Sequence, residues 1–142
     1  AIELIYDFIQ AYLNRGNIYL ESFDYDLAIA DYTSAINYNP YFAIAYGQRG
    51  IAYYYVQEYE SAIIDYRDAI QLQAYNPNHH YNLGLALIEV EKYELAIESL
   101  TTAIELDPYD PDAYSLRARA FSALNMTSEA NADFERAQEL RD

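Results

Sequence analysis

The chain has 142 residues, of which 53% are hydrophobic, and a formal net charge of −15, so it can bury one sizeable core. A surface this acidic repels phosphate, which excludes nucleic acid and anionic membranes as expected partners. Cysteine is absent, so no disulfide or thiol chemistry is expected, in agreement with a cytoplasmic location. No apolar run is long enough to cross a bilayer, and we expect no membrane insertion.

Small residues recur every 34 residues along the chain, without an insertion. One column consists of Gly16, Gly50, Gly84 and Ala118. Two further columns contain only alanine: Ala28, Ala62, Ala96 and Ala130, and Ala35, Ala69, Ala103 and Ala137. A period of about 20–50 residues is typical of stacked repeats, because one small unit cannot bury its apolar face alone. We interpret the columns as places where two helices approach closely.

Each period predicts two short helices, A and B, joined by a tight turn. In chain order we predict an N-terminal segment and four repeats in one continuous domain: residues 1–8, 9–42, 43–76, 77–110 and 111–142. Prolines mark the borders between repeats. Pro40 and Pro108 stop a helix, whereas Pro77 and Pro111 suit the first turn of the next one.

The segment 1–8 keeps the phase of the repeats, because Ala1 precedes Ala35 by one period and its AIEL recurs at 103–106. We interpret it as the tail of a preceding repeat helix or as an N-terminal extension, and the chain as a fragment of a longer array. The residues before position 9 include no Pro, Gly or Asn, so the segment can run straight into the first helix. At the other end, Asn131 and Gln138 replace isoleucines of the earlier repeats, which predicts a polar end face.

The run Tyr46-x-x-Arg-Gly50-x-x-Tyr53, followed by Tyr59-x-x-Ala62, Tyr66 and Ala69, resembles the tetratricopeptide repeat (TPR), in particular its bacterial form. The resemblance covers residues 9–142 in four phased copies. It implies an all-α fold, a right-handed α-solenoid of stacked antiparallel helix pairs. It also implies a protein–protein interaction scaffold rather than an enzyme, with no cofactor and no metal.

Two charged columns are expected to pair within a repeat. Helix A carries Arg15, Arg49 and Arg117, and helix B carries Asp31, Asp65 and Asp133 at a constant spacing. The third repeat loses both partners together, since it has Leu83 and Ser99 instead. This joint loss favours structural salt bridges between the two helices over arginines that reach into a ligand groove.

The partner-binding groove is carried over from the family, in which helices A line the concave face. The matching positions are Gln10, Leu13, Asn14 and Asn17 in the first repeat, Ile44, Gln48, Ile51, Tyr54 and Tyr55 in the second, Asn78, Tyr81, Asn82 and Leu85 in the third, and Arg119 in the fourth. The centre of this set is apolar and rich in tyrosine, and its ends are polar. Such a composition is typical of binding hot spots.

The expected partner is a protein or peptide that is apolar with neutral or basic flanks. Family members that hold acidic chaperone tails use lysine and arginine at set groove positions. In one register this chain has Leu13, Asn78 and Asn82 at those positions, and in the other it has Gly47, Asp112 and Leu116. Every required cation is missing, so tails of that kind are unlikely partners. Two alternatives stay open: a self-associating assembly module, and a regulatory interaction domain of a larger protein.

Two smaller features complete the predictions. The loop column Tyr41, Tyr75 and Tyr109 is expected to brace successive repeats. His79 and His80 are adjacent on a helix, so their side chains diverge by about 100° and do not converge on a metal. We interpret them as a solvated helix N-terminus.

Overall fold

A computed structural model describes all residues from 1 to 142 and contains eight α-helices and no strands. In chain order the helices are α1 (Ile2–Glu21), α2 (Tyr25–Tyr38), α3 (Ala43–Tyr55), α4 (Tyr59–Leu72), α5 (Pro77–Glu89), α6 (Tyr93–Leu106), α7 (Pro111–Ala123) and α8 (Thr127–Arg141). Each odd-numbered helix packs against the helix that follows it, which gives four helical hairpins. The all-α prediction of paired helices is confirmed.

The chain divides into two compact units, residues 1–74 and 75–142. The first unit holds the hairpins α1–α2 and α3–α4, and α2 also packs on α3. The second unit holds α5–α6 and α7–α8, with the corresponding contact between α6 and α7. The prediction of four repeats in one continuous domain stays a prediction.

Helix ends follow local chemistry. Pro77 and Pro111 occupy the first turns of α5 and α7, where the missing N–H costs nothing. The side chains of Asn76 and Asp110 cap these two helices by accepting a hydrogen bond from a backbone N–H two residues on. Within each hairpin, one residue of the turn adopts the left-handed conformation: Phe23, Gln57, Glu91 or Asn125.

The first helix includes the N-terminal segment. α1 is one continuous helix from Ile2 to Glu21, as the absence of a stop signal before position 9 allows. The segment 1–8 is therefore not a separate element, because nothing in it stops a helix. Its side chains are largely solvated, and Ile2 is 86% exposed.

In each of the first three hairpins, a glycine of the first helix lies against a side chain of the second helix. A methyl group added at Gly50 would lie 2.6 Å from Cε1 of Tyr66 on the facing helix. Gly16 faces Tyr32 in the same way, and Gly84 faces Leu100. The rings of Tyr32 and Tyr66 are fully buried, so the close approach of the two backbones leaves no room for a Cβ atom.

The loop tyrosines do not brace the repeats. Tyr41, Tyr75 and Tyr109 are 78%, 88% and 74% exposed, so the expectation that they pack on neighbouring repeats is wrong. They lie in the short connections between hairpins, where the side chain has no neighbouring helix to cover it.

The first turns of α3 and α7 are tied to these connections by other tyrosines. The hydroxyl of Tyr46 donates a hydrogen bond of 2.9 Å to the carbonyl oxygen of Pro40. Tyr114 makes the equivalent bond to Pro108 at 3.2 Å. The bracing role therefore falls to the tyrosine that lies six residues after the proline.

Replacing Gly50 by leucine is expected to lower the free energy of unfolding by roughly 1–3 kcal/mol or more, because the added side chain must displace the buried ring of Tyr66. Gly50→Ala should give a smaller loss in the same direction. Chemical denaturation followed by circular dichroism measures both. Ala30→Leu on the exposed side of α2 is the control and should change stability by no more than about 0.5 kcal/mol. A Gly50→Leu variant as stable as the parent would refute the close contact.

Candidate functional site

Three arginine–aspartate pairs join the two helices of a hairpin. Arg49 donates from Nε to Oδ2 of Asp65 and from Nη2 to Oδ1, both at 2.8 Å. Arg15 with Asp31 and Arg117 with Asp133 show the same two-bond geometry at 2.7–2.8 Å. The structure thus brings together all three pairs that the sequence singled out, and the fork of the guanidinium matches the carboxylate.

Aromatic rings enclose each of these guanidinium groups. Arg49 lies 5.8 Å from the ring centres of Tyr46 and Tyr53, one turn before and one turn after it on α3. Arg117 lies between Tyr114 and Phe121 at similar distances. The arginines are therefore held by helix-to-helix hydrogen bonds and by cation–π contacts within their own helix.

Burial controls the electrostatics of the second pair. The side chains of Arg49 and Asp65 are 17% and 2% exposed, whereas Arg15 is 58% exposed. The hydrogen bond to Asp65 raises the pKa of Arg49. Burial raises the pKa of the Asp65 carboxyl, and the hydrogen bonds from Arg49 oppose this rise. Without Arg49, Asp65 would be a buried acid with no compensating charge.

Threonines connect the arginines to the preceding hairpin, which the sequence reading missed. Arg49 donates from Nη1 to Oγ1 of Thr33 on α2 at 3.1 Å. Arg117 makes the equivalent bond to Thr101 on α6. A signal was present, because each threonine precedes its arginine by the same 16 residues that separate arginine from aspartate.

In the first unit, several predicted groove residues lie on α1 and α3, two helices that contact each other directly. We call Asn14, Asn17, Ile44, Gln48 and Ile51 the α1–α3 surface. Ile44 is 49% exposed, and Ile51 is half-buried one turn beyond Gln48. The centre of this surface is apolar and accessible.

A hydrogen-bond network cross-links this surface. Oδ1 of Asn17 accepts from the hydroxyl of Tyr32 at 2.7 Å and from Nε2 of Gln48 at 3.2 Å. Burial raises the pKa of Tyr32 to about 12, so this hydroxyl keeps its proton and donates at neutral pH. Asn17 and Gln48 thus have a structural role in joining α1 to α3.

Two of the predicted groove residues on α1 have different surroundings. Leu13 is only 5% exposed and belongs to the core of the first unit with Ile9 and Tyr32. Its side chain is therefore packed in this core and does not offer an accessible contact to a partner. Gln10 is half-buried one turn before Asn14.

Tyr54 and Tyr55 lie at the end of α3 and contact the starts of the two helices B. The ring of Tyr55 stacks on Tyr25 with 5.2 Å between ring centres. Tyr54 makes edge contacts with Tyr55 at 5.9 Å and with Tyr59 at 5.3 Å. The pair is thus part of an aromatic cluster near the hairpin turns, and Tyr55 is still 57% exposed.

In the second unit, the predicted residues Asn78, Tyr81, Asn82, Leu85 and Arg119 form the α5–α7 surface. Asn78 and Arg119 are exposed, and the other three are half-buried. Burial raises the pKa of Tyr81, nearby Asp112 and Asp110 add to the rise, and Arg119 opposes it. Asp112 also accepts a hydrogen bond from Nη2 of Arg141 at 2.8 Å.

His79 is buried rather than solvated, so the interpretation of a solvated helix N-terminus is wrong for it. The side chain is 6% exposed, and its Nε2 lies 3.3 Å from Nδ2 of Asn76. Burial lowers the pKa of His79. The equivalent positions of the neighbouring repeats hold Ala45 and Ala113.

Two negative findings bear on the function. No group of three or more His, Cys, Asp or Glu side chains is placed to hold a metal ion. None of the eight helices combines the length and the apolar character that a membrane crossing requires.

The chain belongs to the tetratricopeptide repeat family. The sequence model described as tetratricopeptide repeat matches residues 9–42 and 77–110, and a second one described as TPR repeat matches residues 50–90. The resemblance drawn from the repeat motif is confirmed. No curated protein matches the chain in the sequence comparison.

Solved structures of similar fold include MamA and a peptide-binding TPR domain. A crystal structure of MamA superposes with a TM-score of 0.91 at 25% identity, over 94% of this chain and 78% of that one. MamA 41-end from Desulfovibrio magneticus RS-1 gives 0.89 at 20% identity, over 94% and 75%. The first TPR of Spaghetti (RPAP3), bound to the HSP90 peptide SRMEEVD, gives 0.81 at 25% identity, over 82% and 93%.

Arg49→Leu is expected to lower the free energy of unfolding by roughly 3–5 kcal/mol at neutral pH, because it strands the buried carboxylate of Asp65. The pKa of Asp65, already raised by burial, should rise further once Arg49 is gone. The folded state then holds a proton that the unfolded state has lost, so the penalty grows as pH rises above about 4 and shrinks in acid.

The double variant Arg49→Leu, Asp65→Ser is the control, because the third hairpin already carries Leu83 and Ser99 at these places. It should be more stable than the single variant at neutral pH. Urea titrations of the four proteins of this double-mutant cycle measure the coupling. Additive losses would mean that the two residues do not depend on each other.

Stability should also rise with pH in the range where His79 titrates. Because burial lowers its folded pKa, the unfolded state binds more protons below the usual value of about 6.5, and acid favours unfolding. Thermal unfolding of the parent between pH 5 and 7.5 should show this rise. His79→Ala, which matches Ala45 and Ala113, should flatten it; a slope unchanged in the variant would assign the rise to other groups.

Proposed function

We propose that the protein is an interaction scaffold that docks an extended segment or a helix of a partner protein on its helix-A surfaces. The observation that carries the proposal is the α1–α3 surface, where Ile44 and Ile51 offer accessible apolar contacts beside the polar pair Asn17 and Gln48. Apolar centres with polar surroundings are typical of protein-binding sites.

The polar pair has the chemistry to bind a main-chain amide. Oδ1 of Asn17 is occupied by Tyr32 and Gln48, which leaves the two amide N–H donors of Asn17 and the carbonyl oxygen of Gln48. A peptide unit carries one donor and one acceptor. An extended segment can therefore bond to this pair while its side chains contact Ile44 and Ile51. The bond between Asn17 and Gln48 fixes both side chains in advance, which lowers the entropy lost on binding.

The peptide complex of the Spaghetti (RPAP3) TPR supports peptide docking by this fold but not the same partner. Its peptide SRMEEVD is acidic, and acidic groups need cations in the site. On the α1–α3 surface this chain has no lysine or arginine, and Arg119 is the single cation on the α5–α7 surface. With a net charge of −15, we propose a partner segment that is apolar with neutral or basic flanks.

Self-association is the second candidate, and the exposed start of α1 favours it. Ile2, Leu4 and Tyr6 are 86%, 57% and 60% exposed, and clustered exposed apolar side chains often mark an interface. Sedimentation across a concentration series separates the two candidates. The mass rises with concentration if copies associate, and stays constant if the surface serves another protein.

The proposed site predicts that Ile44→Ser with Ile51→Ser weakens binding of an apolar peptide by about tenfold or more, because the central contacts are lost. Three synthetic peptides with the same apolar core and basic, neutral or acidic flanks serve as probes in fluorescence anisotropy. The basic and neutral peptides should bind and the acidic one should not.

Ile64→Ser is the matched control, because Ile64 is 60% exposed on α4, a helix B. It should leave the affinity unchanged. The proposal fails if the acidic peptide binds best, or if the control weakens binding as much as the double variant. Binding that disappears in moderate salt for both proteins would point to general charge attraction instead.

A further inference from the structure

Phe23 holds the left-handed position found in the turn of every hairpin, where an exposed aromatic side chain is unusual. Its φ angle is 64°, in the left-handed region that bulky side chains rarely adopt. The side chain is also 75% exposed, so burial does not compensate for the unfavourable backbone. The equivalent turns use Gln57, Glu91 and Asn125, and asparagine suits this conformation best. An unfavourable backbone with an exposed ring is a reason to look for function.

The ring of Phe23 is the outer end of an aromatic row. It makes an edge contact with Tyr25 at 6.3 Å, and Tyr25 stacks on Tyr55 at 5.2 Å with the ring planes 12° apart. Tyr54 and Tyr59 continue the row. We call these five residues the turn aromatic cluster. It runs from the turn of the first hairpin to the turn of the second, and Phe23 and Tyr55 keep much of their surface open to solvent.

A shallow pocket of about 310 Å³ opens beside this cluster. It is lined by Phe23, Asp24, Tyr25, Asp26, Leu27 and Val56. This volume is at the lower end of the range of ligand sites and is large enough for one side chain. The lining thus combines the carboxylates of Asp24 and Asp26 with the rings of Phe23 and Tyr25.

The surroundings of the pocket carry negative charge. No lysine or arginine occurs between Arg15 and Arg49, or between Arg49 and Arg67, whereas both turns and the starts of both helices B carry acidic residues. The charge of the surface therefore favours a cation, and the rings favour one with an extended, weakly hydrated face.

We propose that the turn aromatic cluster is a second docking site, separate from the α1–α3 surface, and that its occupant is an arginine side chain of a partner protein. Guanidinium binds flat on aromatic rings and bonds carboxylates through its fork. The chain uses the same chemistry internally, since Arg49 lies 5.8 Å from two tyrosine rings and donates twice to Asp65. At the turn, the rings and carboxylates are supplied by this chain and the arginine by the partner.

The test uses two short amidated peptides that differ only in one central residue, arginine or lysine. Both are titrated into the intact chain, and aromatic NMR signals of the cluster and the dissociation constant are recorded. The arginine peptide should shift the signals of Phe23 and Tyr25 and bind more tightly. Phe23→Asn should weaken it by about fivefold or more, while the melting temperature stays equal or rises because asparagine relieves the left-handed backbone.

Gln57→Asn is the matched control, since Gln57 has the same φ of 64° and the substitution changes neither charge nor the aromatic row. It should leave the affinity unchanged, as should the serine variants of Ile44 and Ile51 on the α1–α3 surface. Equal affinity of Phe23→Asn and the parent would overturn the proposal. So would a clear loss of stability in Phe23→Asn, which would make the ring structural, or equal affinity for the arginine and lysine peptides, which would reduce the site to general acidity.

Discussion

The close approach of the two helices in each hairpin is the constraint on which the rest of the structure depends. At Gly50 the backbone of α3 comes so near to Tyr66 that an added methyl group would lie 2.6 Å from the ring. Gly84 faces Leu100 at the same closeness, so the second helix can supply an aromatic or an aliphatic side chain. The requirement for a very small residue therefore applies to the first helix of the hairpin. In the fourth hairpin that helix carries Ala118, and the ring at the facing position, Phe134, is 44% exposed. A Cβ atom on one helix and a buried ring on the other compete for the same space.

The arginine–aspartate pairs follow from this approach. Each arginine directly precedes the small residue of helix A, and each aspartate directly precedes the facing ring residue of helix B. Because the backbones are fixed by the Gly50–Tyr66 type of contact, the two charged groups meet in one geometry, and all three pairs have bonds of 2.7–2.8 Å. The third hairpin has Leu83 and Ser99 at the positions of the arginine and the aspartate. The hairpin can therefore form without a charged pair, and two of the three arginines use their remaining donor for a bond onward to Thr33 or Thr101 in the preceding hairpin.

The sequence predicted the features that recur in every repeat. It did not predict contacts that depend on residues found in one repeat only. The small-residue columns predicted the hairpins, and joint loss in one repeat predicted the charged pairs, because both features recur with a fixed spacing. Leu13 was expected to line a groove but is buried in the core of the first unit, since a family position fixes a residue along the chain but not its contacts. The length of α1 depends on the absence of a stop signal in one copy only. Tyr55 was assigned to the groove, and its stacking on Tyr25 depends on a pair that no other repeat contains.

Tyrosine shows why composition cannot replace geometry in this chain. Tyr32 and Tyr66 are core residues, Tyr46 ties a helix to the preceding connection, and Tyr109 is a solvated loop residue. Each of the four recurs at a fixed position of the 34-residue repeat. Their roles differ because the packing around each position differs. The fold accounts for each ring that is buried, hydrogen-bonded or left in a loop without strain. It does not account for Phe23, which is exposed and holds an unfavourable backbone. Gln57 and Glu91 hold the same left-handed backbone without favouring it, but their polar side chains suit an exposed turn. An exposed aromatic ring at this position is the feature that the proposed contact with a partner arginine explains.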